Sequence, residues 1–236
     1  MLKLAGETDI GILEAHETSL SPHLVETLPV TLKGGNLLHI AVNAGWSETI
    51  TGSGGTLQRP GYQKVKTGIT ANSSARLLTD PAGLNPGAGY FKVNWNKKLY
   101  IIIASYIRDA SDSQAVARFQ LRENTGPGAL DATGIGFQVD NLAIKGESHG
   151  TALGVLDLNT ALTNDYDHQI AMIHYPGSKI EWYVNGVLKG TQSTAAYIPS
   201  GESATYTYLV HYIANGAAGG VDAMSYLSSI VIWQER

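Results

Sequence analysis

At 236 residues, with no cysteine and only 15% charged residues, the chain is long enough to bury a core without covalent staples. The missing cysteines exclude disulfide frameworks, zinc–thiolate centres and thiol nucleophiles. A formal charge of −4, with Lys97-Lys98 as the densest basic spot, argues against a nucleic-acid partner, since phosphate backbones are met by clustered Lys and Arg.

The N-terminal stretch MLKLAGETDIGILEAHE meets Glu7 and Asp9 before any apolar run develops, so synthesis without a Sec signal peptide is expected. No stretch approaches the ~18 apolar residues of a membrane-spanning helix. Residues 1–45 carry Glu7, Glu14, Glu17 and Glu26 ahead of a short strand-like run, Leu37 to Val42. They read either as an arm or small docking subdomain, or as edge strands of a single domain. Residues 46–57 hold the Gly/Ser/Thr run TITGSGGT and read as a flexible linker. Residues 58–236 read as one β domain.

Within that domain the elements follow in order. Phe91 to Trp95 alternates as a strand does. Leu99 to Ala104, LYIIIA, is an unbroken apolar run and predicts a strand buried on both faces. Val116 to Arg122 alternates, with Val116, Phe119 and Leu121 as candidates for the core. Ile135 to Val139 and Ala152 to Leu156 follow, with Gly146 to Thr151 between them as a polar loop displaying His149. Gln169 to Tyr175, the Pro176-Gly177 turn, Lys179 to Val184 and the Asn185-Gly186 turn predict a three-stranded meander over 169–191. Thr205 to Ile213 and Met224 to Trp233 complete the set. Helices are expected only as short pieces, Ser21 to Glu26 and Thr160 to Leu162. Strands recurring every 10 to 20 residues between Gly, Pro, Asn and Ser give an all-β, two-sheet antiparallel sandwich.

Three stretches carry a family resemblance: Tyr166-Asp167-His168-Gln169-Ile170-Ala171, Ile180-Glu181-Trp182-Tyr183-Val184-Asn185-Gly186, and the closing Ser229 to Glu235. Over roughly residues 58–236 their order resembles the concanavalin A-like jelly roll of lectins, glucanases and laminin-G domains. The resemblance implies a final strand returning beside the first. Gly61 to Arg76 is similar in style to the opening strands of lectin-like domains in phage and virus structural proteins. That implies a virion or extracellular surface location.

Glucanases of this fold use an E-x-D-x-x-E strand, because a retaining enzyme needs two carboxylates ~5 Å apart on one face. This chain has no such motif, no G-x-S-x-G elbow and only scattered histidines. Catalytic residues are therefore expected to be absent. Asp109 and Asp112 read as an exposed loop. Asp165, Asp167 and Asp222 are weak candidates for an oxygen-liganded Ca²⁺; turn-shaping by their side chains is the simpler reading. Trp46, Tyr62, Tyr90, Trp95, Tyr106 and Tyr197 are candidate sugar platforms, since exposed aromatic faces stack on pyranose rings. In Lys179 to Gly186, KIEWYVNG, alternation puts Trp182 with the core and Glu181 on the opposite face.

The expectation is a non-enzymatic structural protein, such as a capsid decoration or a tail or fibre component. It would self-associate as a homo-oligomer, meet a capsid or other virion protein through its N-terminal arm, and contact surface glycans with its sandwich. A free-standing carbohydrate-binding module is the alternative, and a glycosidase ranks behind both.

Overall fold

The computed structural model describes residues 35–40, 46–59, 62–79, 92–108, 115–126, 128–163, 166–204, 206–216 and 222–235; at 35–40, 59, 62, 106, 108, 166, 167, 228 and 229 only the backbone is described. The strands are β1 (Gly35–Ile40), β2 (Ser47–Thr51), β3 (Gly55–Arg59), β4 (Tyr62–Lys66), β5 (Ser74–Leu78), β6 (Leu99–Arg108), β7 (Val116–Arg122) and β8 (Gly134–Asp140). They continue with β9 (Ala143–His149), β10 (Leu153–Ala161), β11 (Tyr166–Tyr175), β12 (Lys179–Val184), β13 (Val187–Gln192), β14 (Tyr208–Ala214) and β15 (Met224–Glu235). A single 3-10 turn, Ala195–Tyr197, is the only helical piece among the described residues.

The strands form two antiparallel sheets. The first runs β13-β12-β11-β6-β15-β4-β3, with β1 also pairing β15; the second runs β10-β9-β8-β7-β14-β5-β2. Alternation turns one side of each sheet inward. Between them lies one core, including Leu99, Ile101 and Ile103 of β6, Phe119 and Leu121 of β7, and Trp182 of β12. This is the jelly-roll sandwich expected. The run 99–104 is buried on both faces, with Tyr100 and Ile102 3% exposed on the side away from the core.

The 169–191 meander forms as β11-β12-β13, and Asn185 and Gly186 take positive φ values of 50° and 77°. Trp182 is fully buried and donates its Nε1–H to the Gly136 carbonyl at 2.9 Å, tying β12 to β8 of the facing sheet. A Cβ at Gly146 would stand 2.5 Å from the Trp182 ring, so that glycine makes room for the indole.

Several expectations are corrected. The stretch 46–57 contains β2 and β3, one in each sheet, and β1 lies in the stretch read as an arm. Residues 92–95 form no strand, only a bridge from Asn94 to Glu202. On β7 the core residues are Ala117, Phe119 and Leu121, while Val116 faces the other way because it is out of phase with them. Gly146 to His149, expected in a loop, belong to strand β9, and His149 is its last residue. Thr160 and Ala161 close β10 instead of starting a helix. The Ser21–Glu26 helix lies outside the described residues.

Buried His211 joins the sheets a second time, with Nε2 2.9 Å from Ser225 Oγ. Burial pushes its pKa down from 6.5 to about 3. The folded chain holds this ring neutral, whereas the unfolded chain protonates it near its ordinary value. Its contribution to stability is complete above pH 6.5 and is lost as pH falls toward about 3. Urea midpoints should therefore drop between about pH 7 and pH 5, and His211→Gln should flatten that slope. His174, lowered by burial as well, adds slope of the same sign.

Candidate functional site on the second sheet

Strand register across the second sheet assembles rows of outward-facing side chains. One row runs from Asp157 on β10 through Lys145, Gln138, Arg118, Tyr212 and Arg76 to Thr49 on β2. The five central residues are half-buried and the two ends exposed. Six inter-strand steps of ~4.8 Å make the row about 29 Å long.

Arg118 is the organising cation. Its Nε–H donates to Glu147 Oε1 at 3.3 Å and its Nη2–H to Gln138 Oε1 at 3.0 Å. A guanidinium has five N–H donors, so it is fixed in place with capacity left for a ligand. Arg76 is positioned similarly, by Thr49 Oγ1 at 3.0 Å and by the Thr125 carbonyl. Between the two arginines, the Tyr212 ring supplies an apolar face with a polar tip.

On the Gln120 and Arg122 side of β7 the neighbouring positions are sealed. Gln120 and Arg122 are fully buried under the 123–133 loop. Arg122 Nη1 donates to the carbonyls of Gly126 at 2.9 Å and Gly128 at 3.3 Å, and to Gln120 Oε1 at 2.8 Å. Its Nη2 pairs with Asp131. Burial pushes the Arg122 pKa down, against the pull of Asp131 and Glu147. The Asp131 carboxyl is held below the usual range, first by the Asn124 amide at 2.7 Å and then, against burial, by Arg122. Gln120 Nε2 donates to Glu147 Oε2 at 2.6 Å.

Glu147 therefore has both oxygens engaged and is 1% exposed. Its same-face neighbours along β9 are Lys145 and His149, so no second carboxylate stands at i ± 2. The arrangement can orient and bind polar ligands along the half-buried row. It offers no free acid and base flanking a bond.

The sequence-derived candidates fall elsewhere. Trp46 and Trp95 are 3% and 0% exposed, so neither is a platform: both belong to the main core, where a large apolar ring gains most from burial. Tyr197 is half-buried against Gly154, under the edge of β10. Tyr62 and Tyr106 are placed by backbone alone, in β4 and β6, and Tyr90 lies outside the described residues. Asp165 is likewise outside them, and Asp167 is placed by backbone in β11. Asp222 is not free for an ion: Oδ1 accepts the Gly68 N–H at 2.7 Å and Oδ2 pairs with Lys66 at 3.2 Å. Among the described residues no three His, Asp or Glu side chains converge as a metal requires.

Glu181 faces away from the core, as alternation predicts, and sits among Lys179 at 2.6 Å and Tyr183 Oη at 2.8 Å. Burial pushes its carboxyl up, but hydrogen bonds from Lys179, Tyr183 and Tyr175 outweigh this and hold it below the usual range.

No family model matches the chain, and no curated protein matches it in sequence. Solved structures do. An endo-β-1,4-glucuronan lyase from Trichoderma reesei superposes with a TM-score of 0.57 at 9% identity, over 85% of this chain and 96% of that one. The Emp47p carbohydrate recognition domain gives 0.54 at 8% identity, over 88% and 100%. A Bacillus licheniformis β-glucanase gives 0.52 at 14% identity, over 87% and 100%. At such identities the likeness shows the fold alone: this chain is a two-sheet antiparallel jelly-roll sandwich.

Proposed function

We propose that the protein is a non-enzymatic, lectin-like interaction protein that contacts glycans through the outward row of its second sheet. The observation that carries this reading is the half-buried Lys145-Gln138-Arg118-Tyr212-Arg76 row, beside a Glu147 with no oxygen to spare. Fixed guanidinium donors flanking an aromatic face suit sugar hydroxyls, and the row's length suits an extended glycan chain. The fold is shared with a carbohydrate recognition domain and with enzymes named for polysaccharides, which supports the same ligand class. No metal is called for. We place the protein in a homo-oligomeric virion structure, as a capsid decoration or a tail or fibre component; the missing catalytic carboxylate motif, the absence of cysteine and the resemblance of Gly61 to Arg76 to the opening strands of lectin-like domains in phage and virus structural proteins support this reading.

Glycan arrays, with and without Ca²⁺, test the binding. Arg118→Ala and Tyr212→Ala should each weaken binding about tenfold, the effect of ~1.4 kcal/mol from one hydrogen-bonded or stacked group. An array without any hit overturns the glycan reading. Release of reducing or unsaturated ends from a bound glycan overturns the non-enzymatic one. A purified protein that stays monomeric and binds no particle overturns the virion assignment.

A further inference from the structure

We propose that the glycan is an acidic one, and that Arg76 holds its carboxylate or sulfate group at the β5 end of the row. The inference rests on the glycan reading above and adds the charge of the ligand and the direction in which it lies.

Lys145, Arg118 and Arg76 are the cations of the row. Two of them are already matched by carboxylates. Lys145 Nζ pairs with Asp140 Oδ2 at 3.0 Å, and Arg118 Nε pairs with Glu147 Oε1 at 3.3 Å. Arg76 differs: among the described residues no carboxylate meets it. The acid of the 123–133 loop, Asp131, is engaged by Arg122 and Asn124. Glu48 is one position from Thr49 on β2, so alternation turns it to the opposite face, where it accepts the Thr56 hydroxyl.

What fixes Arg76 is neutral. Nη2–H donates to Thr49 Oγ1 at 3.0 Å, and Nη1–H donates to the Thr125 carbonyl. These contacts spend two of a guanidinium's five N–H donors, and Nε–H is among those that meet no acceptor. The group therefore keeps its full charge and spare donors in a set orientation. Sugar hydroxyls alone leave that charge uncompensated. A carboxylate or sulfate compensates it and accepts charge-assisted hydrogen bonds, which are roughly twice as strong as neutral ones.

The neighbours give the direction. Tyr212 stands opposite Arg76 in register, one strand step of ~4.8 Å away, so a sugar stacked on its ring carries an acidic substituent within reach of the guanidinium. Asp157, exposed at the β10 end, has the opposite sign and disfavours an anion there. An acidic glycan therefore lies with its charged sugar toward β5 and neutral sugars toward Arg118 and Gln138.

Titration calorimetry with matched oligosaccharide pairs tests this. Alginate and pectate oligosaccharides are compared with their carboxyl-reduced neutral forms, and sulfated cello-oligosaccharides with unsulfated ones, which separates carboxylate from sulfate. At least one acidic form should bind about tenfold more tightly than its neutral partner, the effect of one charge-assisted contact. Arg76→Gln should bring the acidic form down to the affinity of the neutral one, and Arg76→Lys should keep part of the preference. In the parent chain the preference should shrink severalfold as salt rises from ~0.05 to ~0.5 M, because screening acts on the charged pair. Neutral forms bound as tightly as acidic ones overturn the proposal and leave the glycan reading standing. A preference that persists in folded Arg76→Gln, or that ignores salt, also overturns it. Binding of none of these oligosaccharides overturns the proposal together with the glycan reading.

Discussion

Replacing Trp182 with alanine is expected to lower stability by about 3–5 kcal/mol, the usual cost of emptying a large aromatic site in a core. Against a total of about 5–15 kcal/mol for a domain, this moves a urea midpoint by a large fraction of its value. Two controls separate the contributions. Trp182→Phe keeps most of the volume but leaves the Gly136 carbonyl without its 2.9 Å donor, at about 1–3 kcal/mol. Gly146→Ala keeps the indole and forces a methyl to 2.5 Å from it, an overpacking cost of about 1–3 kcal/mol. A Trp182→Ala chain as stable as its parent would show that the facing sheets do not depend on this ring.

The second large effect is expected at Glu147. Its removal strips a carboxylate from beside Arg118, which is partly buried, and from the field of Arg122, which is fully buried. Truncating one partner of a buried charge cluster costs about 3–5 kcal/mol, mostly through the charge left behind. Glu147→Ala should therefore unfold at markedly lower urea. Asp131→Ala should cost much less, because Asp131 is 69% exposed and its charge is screened by water. Equal losses at the two positions would show that burial does not govern this network.

Where pattern and turn chemistry coincide, the fold was legible in the sequence. The apolar run 99–104 marks a strand buried on both sides, and Asn185-Gly186 marks the β12–β13 hairpin. The β8–β9 hairpin escaped notice because Asn141 and Leu142 make its turn at φ values of 48° and 65°, where glycine is the usual occupant. The true β9 was then read as a loop around His149. Exposure of aromatics was not legible: Trp46 and Trp95 flank loops in sequence, yet the sandwich closes over them.

The candidate site was the least readable part. Alternation of Arg118, Gln120 and Arg122 was visible on β7, and the polar side of that alternation was the available signal. What Arg118 touches depends on β8, β9 and β14, and non-local register is not written in any one strand. The chemistry of the row emerges only when seven strands are aligned.

The position of β15 bears on how the chain is made. This strand comes late in the sequence, yet it joins β6 to β4 and β1, so the first sheet is three unconnected pieces until it arrives. The β3-β4 pair and the β6-β11-β12-β13 group can each form early, but their apolar sides stay open while the ribosome works. Closure by pairings of long sequence separation is slow. A growing chain therefore waits for its last strand with an unjoined sheet, and a chaperone that holds nascent chains would meet it during that interval.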